Sequence, residues 1–312
     1  MVTALQPDLA VTLGPLRLRS PLTLASGTCG YGLELAPFLD LKRVGAVFTK
    51  GLSPLPRPGH AGLRGAEVEA GMLNRIGLQN VGLEAFLAEK LPALQAADLP
   101  AIANLAGASL IEYEAMAERL DEAPGLLGLE LNVSCPNVTH GGIEFGRDPQ
   151  VLEGLVRAVR RRTRLPLVVK LAPRADDVGE FARAAEAAGA DVLSAINTLP
   201  GLAVTPRLVD GRLTAELLRG GLSGPALRPL ALRCVAEARR ACRLPIIGIG
   251  GVASLEDVLA FFAVGARAVQ VGTGSFVEPG LAGRLAQELA DWLRAGGGDR
   301  LEACFPEEVP TW

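Results

Sequence analysis

Gly128-Leu-Glu-Leu-Asn-Val-Ser-Cys-Pro-Asn137 is an apolar run that ends in a thiol flanked by two carboxamides, Asn132 and Asn137. As a strand it must stop at Pro136, because proline has no N–H to give to a ladder. The chain therefore turns at the strand's carboxyl end, where α/β enzymes place their chemistry. Beyond it, Thr139-His-Gly-Gly142 and Phe145-Gly146 are polar and hinge-like, and Asp148-Pro149 has the form of an N-cap and a first-turn proline. The segment has the composition of a loop able to close over a ligand.

Seven further runs of strand length extend this reading: Leu22–Ser26, Ala46–Lys50, Ala101–Leu105, Leu167–Leu171, Val192–Asn197, Ile246–Gly250 and Ala268–Gly272, with Gly128–Val133 as the eighth. Helix-period segments lie between most of them, at Glu84–Ala97, Val151–Arg164, Asp176–Ala188, Leu227–Ala241 and Ser254–Val264. Continuous apolar strands suit parallel strands buried on both faces, so the pattern predicts a (β/α)8 TIM barrel, with an open doubly wound sheet as the alternative. Val11-Thr-Leu-Gly-Pro-Leu-Arg-Leu18 predicts an N-terminal β-hairpin covering the barrel's amino-terminal end. Pro200 to Ser223 is long for a βα loop, which predicts an insertion after strand 6 that forms part of the site. No linker or low-complexity tract divides the 312 residues, so a single domain over 1–312 is expected. Arg160-Arg-Arg162 reads as a solvated helix face.

Composition narrows the class. A net charge of −3 leaves no basic footprint for nucleic acid, and no apolar stretch approaches the roughly 18 residues of a membrane span. The start of the chain lacks the features of a signal peptide, and a cytoplasmic protein is expected. Five cysteines without a C-x-x-C pair, and only His60 and His140, argue against a disulfide framework, an iron–sulfur site or a zinc site, so no metal is expected.

Scarce residues mark the strand ends. The chain has four lysines (Lys42, Lys50, Lys90, Lys170) against twenty-seven arginines. Lys50 and Lys170 each end an apolar run, where a compact ammonium differs from a planar guanidinium; Lys42 and Lys90 read as surface residues. Of six asparagines, Asn104, Asn132 and Asn197 end or nearly end strands, Asn137 lies in the loop and Asn74 in Gly71-Met-Leu-Asn-Arg-Ile-Gly77. Only Asn80 has no evident place. Ile249-Gly-Gly251 and Val271-Gly-Thr273-Gly274 follow strands seven and eight, where barrels commonly hold a phosphate, and Gly221-Leu-Ser-Gly224 precedes the helix before strand seven. Glycines also make plain tight turns, but two such turns at these two strands point to a phosphate-bearing ligand.

Cys234 and Cys242 on helix-like segments read as inert core residues, and Cys29 as packing. Cys135, on a polar loop above a strand end, reads as a nucleophile or a general base; as a nucleophile it would draw on His140.

Together these motifs resemble the dihydroorotate dehydrogenase family, and within it class 1, which carries cysteine where class 2 has serine. The resemblance spans nearly the whole chain: Ala25-Ser-Gly27, Thr49-Lys-Gly51, Asn74-Arg-Ile-Gly-Leu-Gln-Asn80, Ala103-Asn-Leu-Ala-Gly107, Asn132-Val-Ser-Cys-Pro-Asn137, Val169-Lys-Leu171, Ile196-Asn-Thr198, Gly221-Leu-Ser-Gly-Pro225, Gly248-Ile-Gly-Gly251 and Val271-Gly-Thr273. It implies an FMN-binding barrel. Gly224, Gly250, Gly251, Gly272 and Thr273 would hold the FMN phosphate, and Ser26, Lys50, Gly51, Asn104, Asn132, Lys170 and Ile196 its ribityl chain and ring. A lysine near flavin N1 would offset charge on the reduced ring, and Lys170 is given that role. Lys50, Asn74 with Arg75, Ile76, Gly77 and Leu78, Asn132, Asn137, Asn197 and Thr198 would bind substrate, since carboxamides present donor and acceptor together.

The implied reaction takes a proton from C5 of dihydroorotate to Cys135 while the C6 hydride passes to flavin N5, leaving orotate. The loop from Ser134 to Gly146 would act as a lid. Val138-Thr-His-Gly-Gly142 is similar to the subtype that passes electrons to NAD through a partner subunit carrying FAD and an iron–sulfur cluster, in a heterotetramer with a homodimeric core. Thr139 departs from the lysine expected there in many such proteins. The alternatives are a dihydropyrimidine dehydrogenase-like flavoenzyme acting on a ring without the carboxylate, and a non-redox phosphate-binding barrel such as an aldolase or isomerase. A pure binding module has no need of a thiol and paired lysines at strand ends.

Overall fold

The computed structural model describes residues 7–133, 145–174, 176–296 and 298–306. Its strands in chain order are β1 (Val11–Leu13), β2 (Leu16–Leu18), β3 (Leu22–Leu24), β4 (Val47–Phe48), β5 (Gly65–Val68), β6 (Gly71–Asn74), β7 (Ala101–Leu105), β8 (Leu126–Asn132), β9 (Leu167–Leu171), β10 (Val192–Ala195), β11 (Leu199–Val209), β12 (Arg212–Ser223), β13 (Ile246–Ile249) and β14 (Ala266–Val271). The eight apolar runs all appear, as β3, β4, β7, β8, β9, β10, β13 and β14. These pair in parallel in that order, and β14 closes on β3, making the expected (β/α)8 barrel rather than an open sheet. Strands β7 and β9 are buried at every residue, as two covered faces require.

The helices follow the apolar periodicity with shifted ends. Pro149–Arg160 begins two residues before the expected segment, because Asp148 caps it by accepting from the amides of Gln150 (2.7 Å) and Val151 (3.4 Å). It stops at Arg160, so Arg161 and Arg162 are exposed as expected but lie past the helix, and only Arg160 departs from the reading of a solvated helix face. Arg160 pairs with Asp191 at 2.9 Å and donates to the carbonyls of Thr163 and Leu165, so it ties the helix end to the base of β10. Helices Leu110–Asp121 and Leu281–Ala295 were not anticipated. No helix among the described residues is long and apolar enough to cross a membrane.

The β1–β2 hairpin buries Val11, Leu13, Leu16 and Leu18 at the barrel's amino-terminal end. A Cβ on its Gly14 would lie 3.3 Å from the carbonyl oxygen of Asp191, just before β10. The insertion after the sixth barrel strand is itself a hairpin, β11 with β12, and β12 continues through β6 to β5 as a four-stranded antiparallel sheet. One face of this hairpin carries Leu202, Val204, Leu208, Leu213 and Leu217, all exposed; Leu208 is 75% and Leu213 80% accessible. The opposite face carries the Arg207–Glu216 ion pair, at 2.8 Å.

Candidate functional site

Within the barrel, strands that bury both faces still carry polar residues on the inner one. Glu130 of β8 is fully buried, yet no ion pair reaches it among the described residues. Its carboxylate instead accepts from Asn104 Nδ2 of β7 and Ser194 Oγ of β10, both at 2.6 Å, and from Gln270 Nε2 of β14 at 3.5 Å. Such a charge is tolerable only because short hydrogen bonds replace water. Asn104 also receives support from Thr49, whose Oγ1 accepts its amide at 3.1 Å.

The carboxyl ends of the strands collect most of the expected residues. Lys170 of β9 is opposite Asn132 of β8 and Ser194 of β10 in register, and is 6% exposed. Asn197 Nδ2 donates to Asn132 Oδ1 at 3.0 Å and its own Oδ1 accepts the amide of Thr198 at 2.8 Å. Asn132 is held from behind by Tyr113, whose hydroxyl donates to its carbonyl at 2.7 Å. Asn74 donates to the carbonyl of Gly221 at 3.0 Å, and a Cβ on Gly221 would lie 2.8 Å from that of Thr198, so these three converge at the root of the inserted hairpin. Leu78 lies beside Gly51, 3.5 Å from where a Cβ would stand. Arg75 is exposed, and within its loop the backbone of Arg75, Ile76 and Gly77 packs on Arg64 and His60. Lys50 is half-buried. Burial, and next the charge of Arg64, hold its ammonium below the usual lysine value, with Glu34 and Cys29 opposing.

The glycine turns meet where a phosphate was expected. A Cβ on Gly251 would come within 2.9 Å of the carbonyl of Gly224, and Thr273 Oγ1 donates to Ser223 Oγ at 2.7 Å. Gly250, Gly251 and Gly224 have φ of 137°, 73° and 102°, values that favour glycine. Gly272 has no such need: a Cβ there would meet nothing nearer than Ala25 at 3.5 Å, beside the turn that carries Ser26. Ser254 and Asp257 form a capping box on the helix Leu255–Ala263, and Asp257 also pairs with Arg228. One carboxylate thus joins the turn after β13 to the helix that follows Gly224.

Two buried residues at this end, Asn104 and Ile196, bear on a cofactor. Asn104 Oδ1 has no hydrogen-bond partner and faces Gly51, 3.1 Å from where its Cβ would be. An acceptor of this kind, beside Lys50 and between β4 and β8, fits a ligand that donates to it. Ile196 is buried, with its amide donating to Ile249 at 3.0 Å, so it lends a wall rather than a polar group.

Cys135, Asn137, Thr139 and His140 lie outside the described residues. The residues that flank them approach one another, since a Cβ on Gly146 would be 3.0 Å from the carbonyl of Val133, and Phe145 packs edge-on against Tyr113 with centroids 5.6 Å apart. Cys29, Cys234 and Cys242 are buried, as expected of packing thiols; desolvation, aided by Glu34, pushes Cys29 up to about 12. Asn80 also finds its place: its amide donates to Ser53 Oγ and the carbonyl of Leu78, and its oxygen accepts from Gly82, which braces the 74–80 loop. Lys90 departs from the surface reading, being half-buried with its ammonium 5.8 Å from the ring centre of Tyr31. Glu130, Ser194, Gln270, Tyr113, Ser223 and Arg64 were not singled out in the sequence. Glu130 did carry a signal: it is the one charge within the apolar run that opened the reading.

Comparison with known proteins agrees with this arrangement. The family profile described as Dihydroorotate dehydrogenase matches residues 8–293. A protein of Pelobacter propionicus named dihydroorotate dehydrogenase B (NAD(+)), catalytic subunit, is 50% identical over 95% of this chain and 97% of its own length. Proteins of the same name from Geotalea daltonii and Trichlorobacter lovleyi are 49% and 48% identical, each over 94% of this chain, and over 95% and 96% of their own lengths. With the profile spanning the barrel and the strand-end residues gathered as described, the chain belongs to the dihydroorotate dehydrogenase family of oxidoreductases.

Proposed function

We propose that this chain is the catalytic subunit of a class 1B dihydroorotate dehydrogenase, a cytoplasmic enzyme that oxidises (S)-dihydroorotate to orotate in de novo pyrimidine synthesis. The observation that carries the reading is the conjunction of Lys50, Lys170 and the Asn132–Asn197 pair at one end of the barrel with the glycine turns of strands β13 and β14. A carboxylate-bearing pyrimidine ring needs a cation and paired carboxamides, and a nucleotide cofactor needs the turns.

The cofactor is FMN in this reading, held in a single barrel domain spanning 1–312. The unpartnered Oδ1 of Asn104 fits it. Gly224, Gly250, Gly251, Gly272 and Thr273 hold its phosphate, while Ser26, Lys50, Gly51, Asn104, Asn132, Lys170 and Ile196 surround the rest. When bound, FMN would supply the acceptor for the C6 hydride. Cys135 removes the C5 proton, so one bond to hydrogen breaks at each carbon and the C5–C6 double bond of orotate forms. Lys50, Asn74, Asn132, Asn137, Asn197 and Thr198 orient the ring, with the 75–78 loop as its wall.

Electrons leave through a partner in this proposal. The relatives' names support a multi-subunit enzyme that reduces NAD, and the exposed apolar face of the β11–β12 hairpin supports an assembly. The partner carries FAD and an iron–sulfur cluster, in a heterotetramer built on a homodimeric core. The test is a spectrum of the purified chain followed by anaerobic addition of dihydroorotate. Flavin absorbance that bleaches, with FMN released on denaturation, is the expected result, together with poor NAD reduction by the chain alone. A colourless protein would return the reading to a non-redox barrel, and rapid fumarate turnover without a partner would move it to the other class 1 subtype.

A further inference from the structure

A cavity lies at the end of the barrel opposite the candidate site, at the amino-terminal ends of β13 and β14. It has a volume of about 320 Å³ and is lined by Arg239, Arg243, Arg267, Thr12, Glu302 and Phe305, among others. We propose that it is a binding site for a small phosphate-bearing anion, separate from the catalytic end.

The charges make the case. Many of the chain's other guanidinium groups pair with carboxylates, as in Arg19–Asp98 at 2.9 Å, Arg160–Asp191 at 2.9 Å and Arg284–Glu278 at 2.7 Å. Among the described residues, none of the three pocket arginines has a carboxylate oxygen within the 4.0 Å of an ion pair. Arg239 reaches only the carbonyl of Cys242, at 3.4 Å. Among the described residues Glu302 is the one acidic lining residue, and its Oε1 accepts the amide of Thr12 at 2.7 Å while Arg300 stands 3.9 Å from its other oxygen. Three cations therefore line a cavity with one carboxylate that already has partners.

Arg267 is also held in position. Its guanidinium lies over the ring of Phe305, 4.6 Å from the centroid, and Phe305 is fixed edge-on against Phe262. A contact with the ring face uses none of the guanidinium's hydrogen-bonding capacity, which stays available to an acceptor. Desolvation, and then the nearby Arg239 charge, lower the proton affinity of Arg267, with Glu302 opposing; an anion between the two guanidinium groups relieves that repulsion. Guanidinium forks bind phosphate oxygens in pairs, so a di- or triphosphate or a phosphate ester matches the set better than a single carboxylate does.

The position gives the site a further meaning. The same two strands carry the glycine turns at their other ends, about 15–20 Å away at the usual strand rise of ~3.3 Å per residue.

The test uses pyrophosphate as probe, titrated calorimetrically into protein saturated with FMN, so that the turns at the catalytic end are not available to it. A chain ending at Pro306, without the Glu307 and Glu308 carboxylates that follow Phe305 in sequence, is titrated in parallel. Saturable binding of one equivalent by either form is expected, with retained flavin absorbance. Arg239→Gln combined with Arg267→Gln should weaken it at least about a hundredfold, since each lost charge-assisted contact is worth ~1.5 kcal/mol or more and ~1.4 kcal/mol is tenfold. Arg243→Gln, at the exposed rim, should weaken it less, and serves if the double variant does not fold. Arg212→Gln, on the distant hairpin, should leave it unchanged. Absence of binding by both forms, binding unaltered by the arginine variants, or binding that displaces flavin would each overturn the proposal.

Discussion

Glu130 and Asn104 share a hydrogen bond of 2.6 Å inside the barrel, and it fixes which end of the Asn104 carboxamide faces the catalytic side. Because Nδ2 is committed to the carboxylate, Oδ1 is the atom left over, and it is the one without a partner. Glu130 thus acts as a positioning residue for a group above it.

Glu130→Ala should release that carboxamide and leave Ser194 and Asn104 with buried, unmet donors. Stability should fall by about 1–3 kcal/mol per unmet group, read from urea unfolding, and FMN should dissociate more readily. Glu130→Gln, which keeps an acceptor oxygen, should lose less of both. Equal FMN affinity in Glu130→Ala and the wild type would remove the positioning role.

Lys50 offers a pH signature. Its ammonium titrates below the ordinary value of 10.5, mainly through burial. Affinity for orotate, followed by flavin absorbance, should therefore decline as pH rises through that lowered value, before a free lysine would lose its proton. For stability the sign is opposite: a depressed folded pKa contributes stability above 10.5 that is lost as pH falls through the lowered value. At neutral pH the buried charge is therefore a cost, and Lys50→Met should unfold at higher urea while failing to bind orotate. A variant less stable than wild type at pH 7 would contradict this.

Cys135→Ser should keep the flavin spectrum but slow flavin reduction by dihydroorotate at neutral pH, because a hydroxyl is a far weaker base than a thiol of pKa about 8.5. In the wild type, reduction should accelerate as pH rises through the thiol's titration. A flat stopped-flow profile across that range would point to a different base.

The hairpin face should govern assembly and nothing else. Leu208→Asp with Leu213→Asp places charges on the apolar side of β11–β12, far along the hairpin from the Asn74–Gly221 contact. Size-exclusion chromatography should report a smaller species than wild type, while flavin reduction by dihydroorotate keeps its rate. An unchanged elution volume would exclude this face from the interface.

How far the sequence carried the structure follows from burial. The eight barrel strands were legible because they are covered on both faces, so their runs are mainly apolar; Ala101–Leu105 and Leu167–Leu171 match the structure to the residue. Helix Leu110–Asp121 was not, since Glu112, Glu114, Glu118 and Arg119 interrupt its apolar positions, and only Tyr113, Met116, Ala117 and Leu120 face inward. Strands β5 and β6 are short and half-buried, and glycine at the start of each hides the alternation that marks a strand. At the candidate site, scarcity of lysine and asparagine singled out the strand-end groups. The polar interior beneath them was missed, because Ser194 and Gln270 look like ordinary interruptions until the barrel brings four separate strands to one carboxylate.

Asp257 has a further consequence. Its carboxylate answers to Ser254, Ala253 and Arg228 together, so the bend after β13 and the segment beyond Gly224 are rigid before any ligand arrives. The ordering entropy of that cradle is spent once, when the chain folds, and is not charged again to each molecule that enters. A cofactor can then leave and return to a socket that keeps its shape, and its tenure is set by the contacts it makes rather than by refolding around it.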